Sequence, residues 1–118
     1  PGVARVIYPG RADHPDHNRA SALLGERTGN MLSFELSGGR AAANALTAAM
    51  PEVPFAPTLG DVATTLSHPP SSSHRALSPE ARTAIGISEG FFRVSVGIED
   101  VEMLKADFTR GIAAAAAV

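Results

Sequence analysis

Arg93 stands in the alternating run Phe91-Phe92-Arg93-Val94-Ser95-Val96-Gly97-Ile98, where Phe92, Val94, Val96 and Ile98 share one face and Phe91, Arg93, Ser95 and Gly97 the other. A guanidinium held on a rigid strand presents a planar fork of donors suited to bidentate capture of a carboxylate or phosphate, and the small residues after it leave room for a ligand. The same pattern fits an ordinary arginine on a solvated strand face or in an ion pair, which is the commoner case. Asp13, His14, Asp16 and His17 have the composition of metal ligands. No third partner accompanies the two histidines, so capping and surface polarity around Pro15 explain them better, and no metal site is expected. Ser71, Ser72 and Ser73 beside His74 raise the possibility of a serine nucleophile. Adjacent positions do not form a triad on a regular element, no Gly-x-Ser-x-Gly elbow is present, and a polar loop is the expectation. Gly38-Gly39 at a helix start offers backbone N–H groups to an anion, but close packing explains the pair as well. Lys105, the single lysine beside nine arginines, falls on the polar side of an amphipathic helix and reads as a solvated charge.

These residues need elements to hold them. Residues 3–8 are a β-branched run closed by Pro9-Gly10, which predicts a strand; Pro15 opens a helix carrying Ala20, Leu23 and Leu24 and ending at Gly25. Residues 31–36 alternate as a half-buried strand. After Gly38-Gly39, the stripe Ala41, Ala42, Ala45, Leu46, Ala49 and Met50 predicts a helix stopped by Pro51. Residues 51–57 hold three prolines and read as an extended connection with little ladder pairing, followed by a strand over 64–68. Ser78 and Pro79 open a short helix closed by Gly86. The strongest strand is 91–98. Asp100 caps a last helix with the stripe Val101, Leu104, Phe108 and Ile112, solvent pairs Glu102/Lys105 and Asp107/Arg110, and an alanine tail expected to fray. The order predicts an α+β fold, a small mostly antiparallel sheet with helices on one face.

The chain has 118 residues, enough for one domain, with 44% hydrophobic and 19% charged residues. A net charge of −2 gives no footprint for nucleic acid or an acidic membrane surface. The absence of cysteine excludes disulfides and thiolate chemistry from this stretch. No apolar run has bilayer length. The chain opens on Pro1 rather than Met, which points to a fragment.

Five segments in order resemble the C-terminal domain of the pyridoxal-phosphate-dependent Cys/Met metabolism enzymes. They are Val6-Ile7-Tyr8-Pro9-Gly10 with His14-Pro15; Met31-Leu32-Ser33-Phe34-Glu35-Leu36 with Gly38-Gly39; Thr58-Leu59-Gly60-Asp61; His68-Pro69 with Ser73-His74; and Arg93 through Asp100. This family includes cystathionine γ-synthase and γ-lyase, methionine γ-lyase and the O-acylhomoserine sulfhydrylases. The resemblance implies that residues 1–118 are the C-terminal small domain of a fold-type I enzyme, with the large cofactor-binding domain absent. It implies that Arg93 binds the α-carboxylate of the amino-acid substrate, with Thr58 contributing to the same site and Ser73 nearby. Pro57 stands where transsulfuration members often carry Glu, and Leu59-Gly60-Asp61 is closer to the methionine γ-lyases and sulfhydrylases.

The cofactor implied for the intact enzyme is pyridoxal 5'-phosphate, whose Schiff-base lysine, pyridinium partner and phosphate loop all precede the matched region in the family. No catalytic or cofactor-binding residue is therefore expected here, and this chain alone is expected to be inactive. The implied partners are the large domain of the same enzyme and an amino-acid substrate, within a cytoplasmic homotetramer. The alternative is a stand-alone amino-acid binding or regulatory module. A serine hydrolase using Ser73 and His74 ranks below both.

Overall fold

The computed structural model describes residues 1–118. Four strands, β1 (Val3–Ile7), β2 (Met31–Leu36), β3 (Thr65–Ser67) and β4 (Phe91–Ser95), form one sheet in the order β1-β2-β4-β3, every pair antiparallel. Four helices alternate with them: α1 (His17–Leu24), α2 (Gly39–Ala49), α3 (Pro79–Ala84) and α4 (Val101–Ala115), with a 3-10 turn at Pro69–Ser71. This is the α+β sandwich that the alternation predicts. No helix is long and apolar enough to cross a membrane.

Alternation decides the two sheet faces. Leu32, Phe34 and Leu36 of β2 lie opposite Val94 and Phe92 of β4 and turn with Leu66 of β3 toward α2 and α4. Phe34 and Phe92 stack at 5.4 Å between ring centroids, and Phe108 of α4 meets Phe34 edge-on at 6.2 Å. Ala42, Ala43, Leu46 and Met50 supply the α2 side of this core. Helix starts follow local chemistry: Asp100 Oδ1 accepts the N–H groups of Glu102 and Met103 at 2.9 and 3.0 Å, and Ser78 Oγ accepts that of Ala81 at 3.2 Å. Gly39 takes φ +58°, a left-handed turn into α2 that suits glycine.

Several expectations are corrected. β4 ends at Ser95, and Ile98 is 84% exposed, because the chain beyond Ser95 bonds to the 60–64 loop instead of a strand. Residues 51–57 do pair little, as expected, making one isolated bridge, Phe55 to Leu66. In α1, Leu23 and Leu24 are exposed and no residue is fully buried, so its apolar side is left largely uncovered by this chain. The alanine tail of α4 does not fray at once but stays helical to a buried Ala115, and the chain start packs beside it, where a methyl on Gly2 would lie 3.0 Å from Ala116 Cβ. The expected stripe of α4 is only partly buried, since Gly111 and Ala115 make the close approach to α2. Val6, Leu32, Phe34, Leu104, Phe108 and Ile112 are left lining an apolar cleft of about 370 Å³ between α4 and the sheet.

Candidate functional site

The face of the sheet away from α2 and α4 carries the polar residues. Directly opposed residues of an antiparallel pair project to the same side. Register therefore sets Arg93 between Ser33 of β2 and Ser67 of β3, with Ser95 two positions along. Neither flanking serine stood out in the sequence, because only the pairing register brings them beside Arg93; their outward place in each alternating strand was the available signal.

Arg93 is half-buried, and its guanidinium is engaged on one nitrogen only. Nη2 donates to the carbonyls of Pro57 and Thr58 at 3.1 and 3.3 Å, and Nε and Nη1 donate to nothing in the chain. No carboxylate of the chain pairs with it. Glu35, on the same face, pairs with Arg5 at 2.6 Å; Glu89 takes both Arg40 and Arg82; Asp13 pairs with Arg11 and Asp107 with Arg110. Arg93 forms no ion pair, so its positive charge on the sheet face is uncompensated within the chain. The pattern-based alternative of an arginine consumed by an internal ion pair is thereby set aside.

Thr58 is brought to Arg93 by its carbonyl, which also accepts from Thr65 Oγ1 at 3.3 Å; its own side chain is exposed. Ser73 is not brought into hydrogen-bond contact with Arg93: its hydroxyl lies 2.8 Å from His74 Nδ1 on the surface, and no further group orients that imidazole. The room expected beside Arg93 is also smaller than the sequence indicates. Ser95 is 1% exposed and accepts the Gly60 N–H at 3.0 Å, so the 58–64 loop covers that end of the face.

A second polar cluster lies at the sheet end near α3. His68 Nε2 donates to the Glu89 carbonyl at 2.8 Å, which leaves Nδ1 to accept the Ser71 hydroxyl at 2.8 Å. Burial pushes the His68 pKa below its ordinary value, with the cations Arg40 and Arg82 adding to the effect and the Glu89 bond opposing it. Arg40 donates to both Ser71 Oγ and Glu89. A serine hydroxyl held between an arginine and an imidazole, with the backbone of its own turn already hydrogen-bonded, has no open donor pair to receive a reacting oxygen; the cluster ties the 3-10 turn to α2 and α3.

The Asp13–His17 stretch is folded into its own turn. Arg11 pairs with Asp13, His14 Nδ1 accepts the Asp16 N–H at 3.1 Å, and His17 Nδ1 donates to the Pro9 carbonyl at 2.9 Å. Asp16 stands at the N-cap of α1, and its side chain makes no capping hydrogen bond. No three acidic or histidine side chains converge as a metal site would need. Lys105 pairs with Glu102 at 2.8 Å on exposed α4. The 370 Å³ cleft under α4 has an almost wholly apolar lining, in which Thr64 and the Glu102-paired Lys105 are the two polar residues. Arg93 with the 57–58 carbonyls and the flanking serines is thus the arrangement able to receive a carboxylate from outside.

The chain is similar to known proteins over nearly its whole length. The sequence profile described as Cys/Met metabolism PLP-dependent enzyme matches residues 1–113. An O-succinylhomoserine sulfhydrylase of Pseudomonas aeruginosa is 44% identical over 114 residues, covering 97% of this chain and 28% of that protein. An L-methionine gamma-lyase of Fusobacterium nucleatum subsp. polymorphum is 40% identical, covering 95% and 28%. The crystal structure of cystathionine gamma synthase from Xanthomonas oryzae pv. oryzae in complex with cystathionine superposes with a TM-score of 0.86 at 41% identity, covering 98% of this chain and 30% of that one. The chain thus spans a little under a third of the length of these relatives.

Proposed function

The chain belongs to the family of Cys/Met metabolism PLP-dependent enzymes, and on that premise we propose that residues 1–118 are the C-terminal, substrate-carboxylate-binding domain of a lyase or transferase. Its substrates would be sulfur amino acids or O-acylated homoserine, and its reaction γ-elimination or γ-replacement. The observation that carries the reading is Arg93, an unpaired guanidinium on a sheet face, braced at Nη2 by two backbone carbonyls with Nε and Nη1 left to donate. A carboxylate docked there gains charge-assisted bonds of fixed direction. Because the carboxylate is remote from the bond that breaks at the γ-carbon, anchoring it spends binding energy on orientation of the reacting atoms.

Thr58 takes the second part in this proposal. It already borders Arg93, and rotation of its exposed side chain adds a hydroxyl donor. Ser73 takes the third part, released from His74 and turned toward the substrate.

The family cofactor supplies an electron sink next to the substrate Cα. The residues of this chain do not fit it: the one lysine is held by Glu102 on α4, which packs on the face of the sheet opposite to Arg93. The cofactor's place therefore falls to the remaining two thirds of such an enzyme, and this chain by itself is proposed to be inactive. The large domain would cover the Arg93 face, a role supported by the exposed Leu59 and Val62 of the loop beside it. The homotetramer and cytoplasmic location belong to the same proposal and rest on the family alone.

The test is Arg93→Ala in the enzyme that carries these residues. Two charge-assisted hydrogen bonds of roughly 1.5 kcal/mol each correspond to about a 100-fold rise in KM for the amino acid. Arg93→Lys, which keeps the charge and loses the fork, should fall between the two. Unchanged KM and turnover in Arg93→Ala would overturn the reading, and tight binding of a free amino acid by the isolated 118-residue chain would favour the stand-alone module.

A further inference from the structure

Beyond Arg93 the outward positions of the same segment are Ser95, Gly97 and Glu99, and the 60–64 loop is fastened to all three. Ser95 Oγ accepts the Gly60 N–H at 3.0 Å. The Gly97 N–H donates to Thr64 Oγ1 at 2.9 Å, and the Ile98 N–H to the Val62 carbonyl at 2.9 Å. Glu99 closes the set with both carboxylate oxygens, accepting the Thr64 N–H at 2.5 Å and the Thr64 hydroxyl at 2.8 Å. Thr64 is 1% exposed, so its hydroxyl is used fully, as donor to Glu99 and acceptor from Gly97. Gly97 is required by this contact, since a methyl there would lie 2.5 Å from the Thr64 nitrogen. Glu99 has no basic partner among the ion pairs of the chain, and the Thr64 backbone bond is what draws its carboxyl below the ordinary range.

None of these bonds touches Arg93, yet the loop they hold starts at the carbonyls that do. Pro57 and Thr58 meet Arg93 Nη2, and Thr65, next to the clasped Thr64, holds the Thr58 carbonyl. We propose that Glu99 is a positioning residue: by clasping Thr64 it fixes the 58–64 loop, and through the Pro57 and Thr58 carbonyls it sets the direction of the Arg93 guanidinium. The inference rests on the carboxylate-binding role of Arg93 proposed above. It assigns the small Ser95 and Gly97 to loop docking and not to ligand space. A loosened clasp leaves Arg93 free to rotate, so the loss should fall on recognition of the carboxylate and spare the rest of substrate binding.

The experiment uses the intact enzyme and two inhibitors, L-norleucine and 1-aminopentane, which differ only by the carboxylate. The ratio of their inhibition constants isolates the carboxylate contribution. In Glu99→Gln, and equally in Thr64→Val, that ratio should fall about ten-fold while 1-aminopentane binds as before, and amide exchange over residues 58–66 should quicken about ten-fold, the worth of one charge-assisted bond. Thr64→Ser, which keeps the hydroxyl, should restore both. A ratio unchanged in Glu99→Gln and Thr64→Val, while Arg93→Ala abolishes it, overturns the positioning role alone. Exchange that does not change in Glu99→Gln overturns the clasp. A ratio unchanged in Arg93→Ala overturns the carboxylate reading and this inference with it.

Discussion

Replacing Glu89 by glutamine removes the charge that two arginines share while keeping the side-chain volume. Glu89 Oε2 accepts from Arg40 Nε at 2.7 Å, and Oε1 accepts from Arg82. Arg82 is 7% exposed, its other acceptor is the Leu77 carbonyl at 2.6 Å, and its Nε has no partner. Burial alone would raise the Glu89 carboxyl, and the bonds from Arg82 and Arg40 overcome it, so the pKa lies below the ordinary value. Stripping the partner from a fully buried ion costs about 3–5 kcal/mol, whereas exposed pairs are worth about 0–1 kcal/mol. With the Glu89 side chain 35% exposed, solvent screens part of the pair, and a loss of roughly 2 kcal/mol is expected. For a chain of this size that is a fall in Tm of about 6–10 °C.

Thermal and urea unfolding followed by circular dichroism would measure it, with Arg82→Met and the double variant completing a cycle. Methionine fills the buried volume without a charge, so the double variant should be more stable than Glu89→Gln alone, with a coupling of about 1 kcal/mol or more. A Tm of Glu89→Gln within about 1 °C of the parent, or strict additivity in the cycle, would refute the claim that Glu89 compensates a buried cation.

Two further outcomes follow from the same structure. His68 has its pKa lowered by burial, so on acidification the unfolded chain takes up its proton first: stability should be flat above the ordinary histidine value of about 6.5 and decline as pH falls below it toward the folded value, and His68→Gln should flatten that limb in a Tm series from pH 8 to pH 5.5; a parent Tm that does not change over this range would contradict the burial. A methyl on Gly111 would lie 2.7 Å from Met50 Cγ and 3.2 Å from Leu46 Cγ. Overpacking of about 1–3 kcal/mol then exceeds the gain of about 1 kcal/mol in helix propensity, so Gly111→Ala should unfold at lower urea, and a stabilised variant would disprove the close approach of α2 and α4.

Much of the fold was legible because its signals are local. The alternation of residues 31–36 and 91–95 marks two strands, and Ser78 and Asp100 mark helix starts by side chains that reach only two or three residues along the chain. Boundaries were less legible where a distant segment competes for the same backbone. The pattern of 91–98 continues past Ser95, but the Ile98 N–H bonds to Val62 and the ladder stops. Helical periodicity in α1 was equally clear, yet periodicity states only which residues share a side, and this chain leaves Leu23 and Leu24 exposed.

For the site, sequence by itself determined that Arg93 is an outward residue of a strand and that the motifs around it run in the order of one enzyme family. Both follow from chain order and a two-residue period. Tertiary structure alone decided what surrounds that arginine. Strand register set Ser33 and Ser67 beside it, pairing with Arg5 occupied Glu35 on the same face, and the loop at 58–64 filled the space that Ser95 and Gly97 had promised to a ligand. These contacts join residues 26 or more positions apart, and pairing across such distances is chosen by the packed fold and not by local preference.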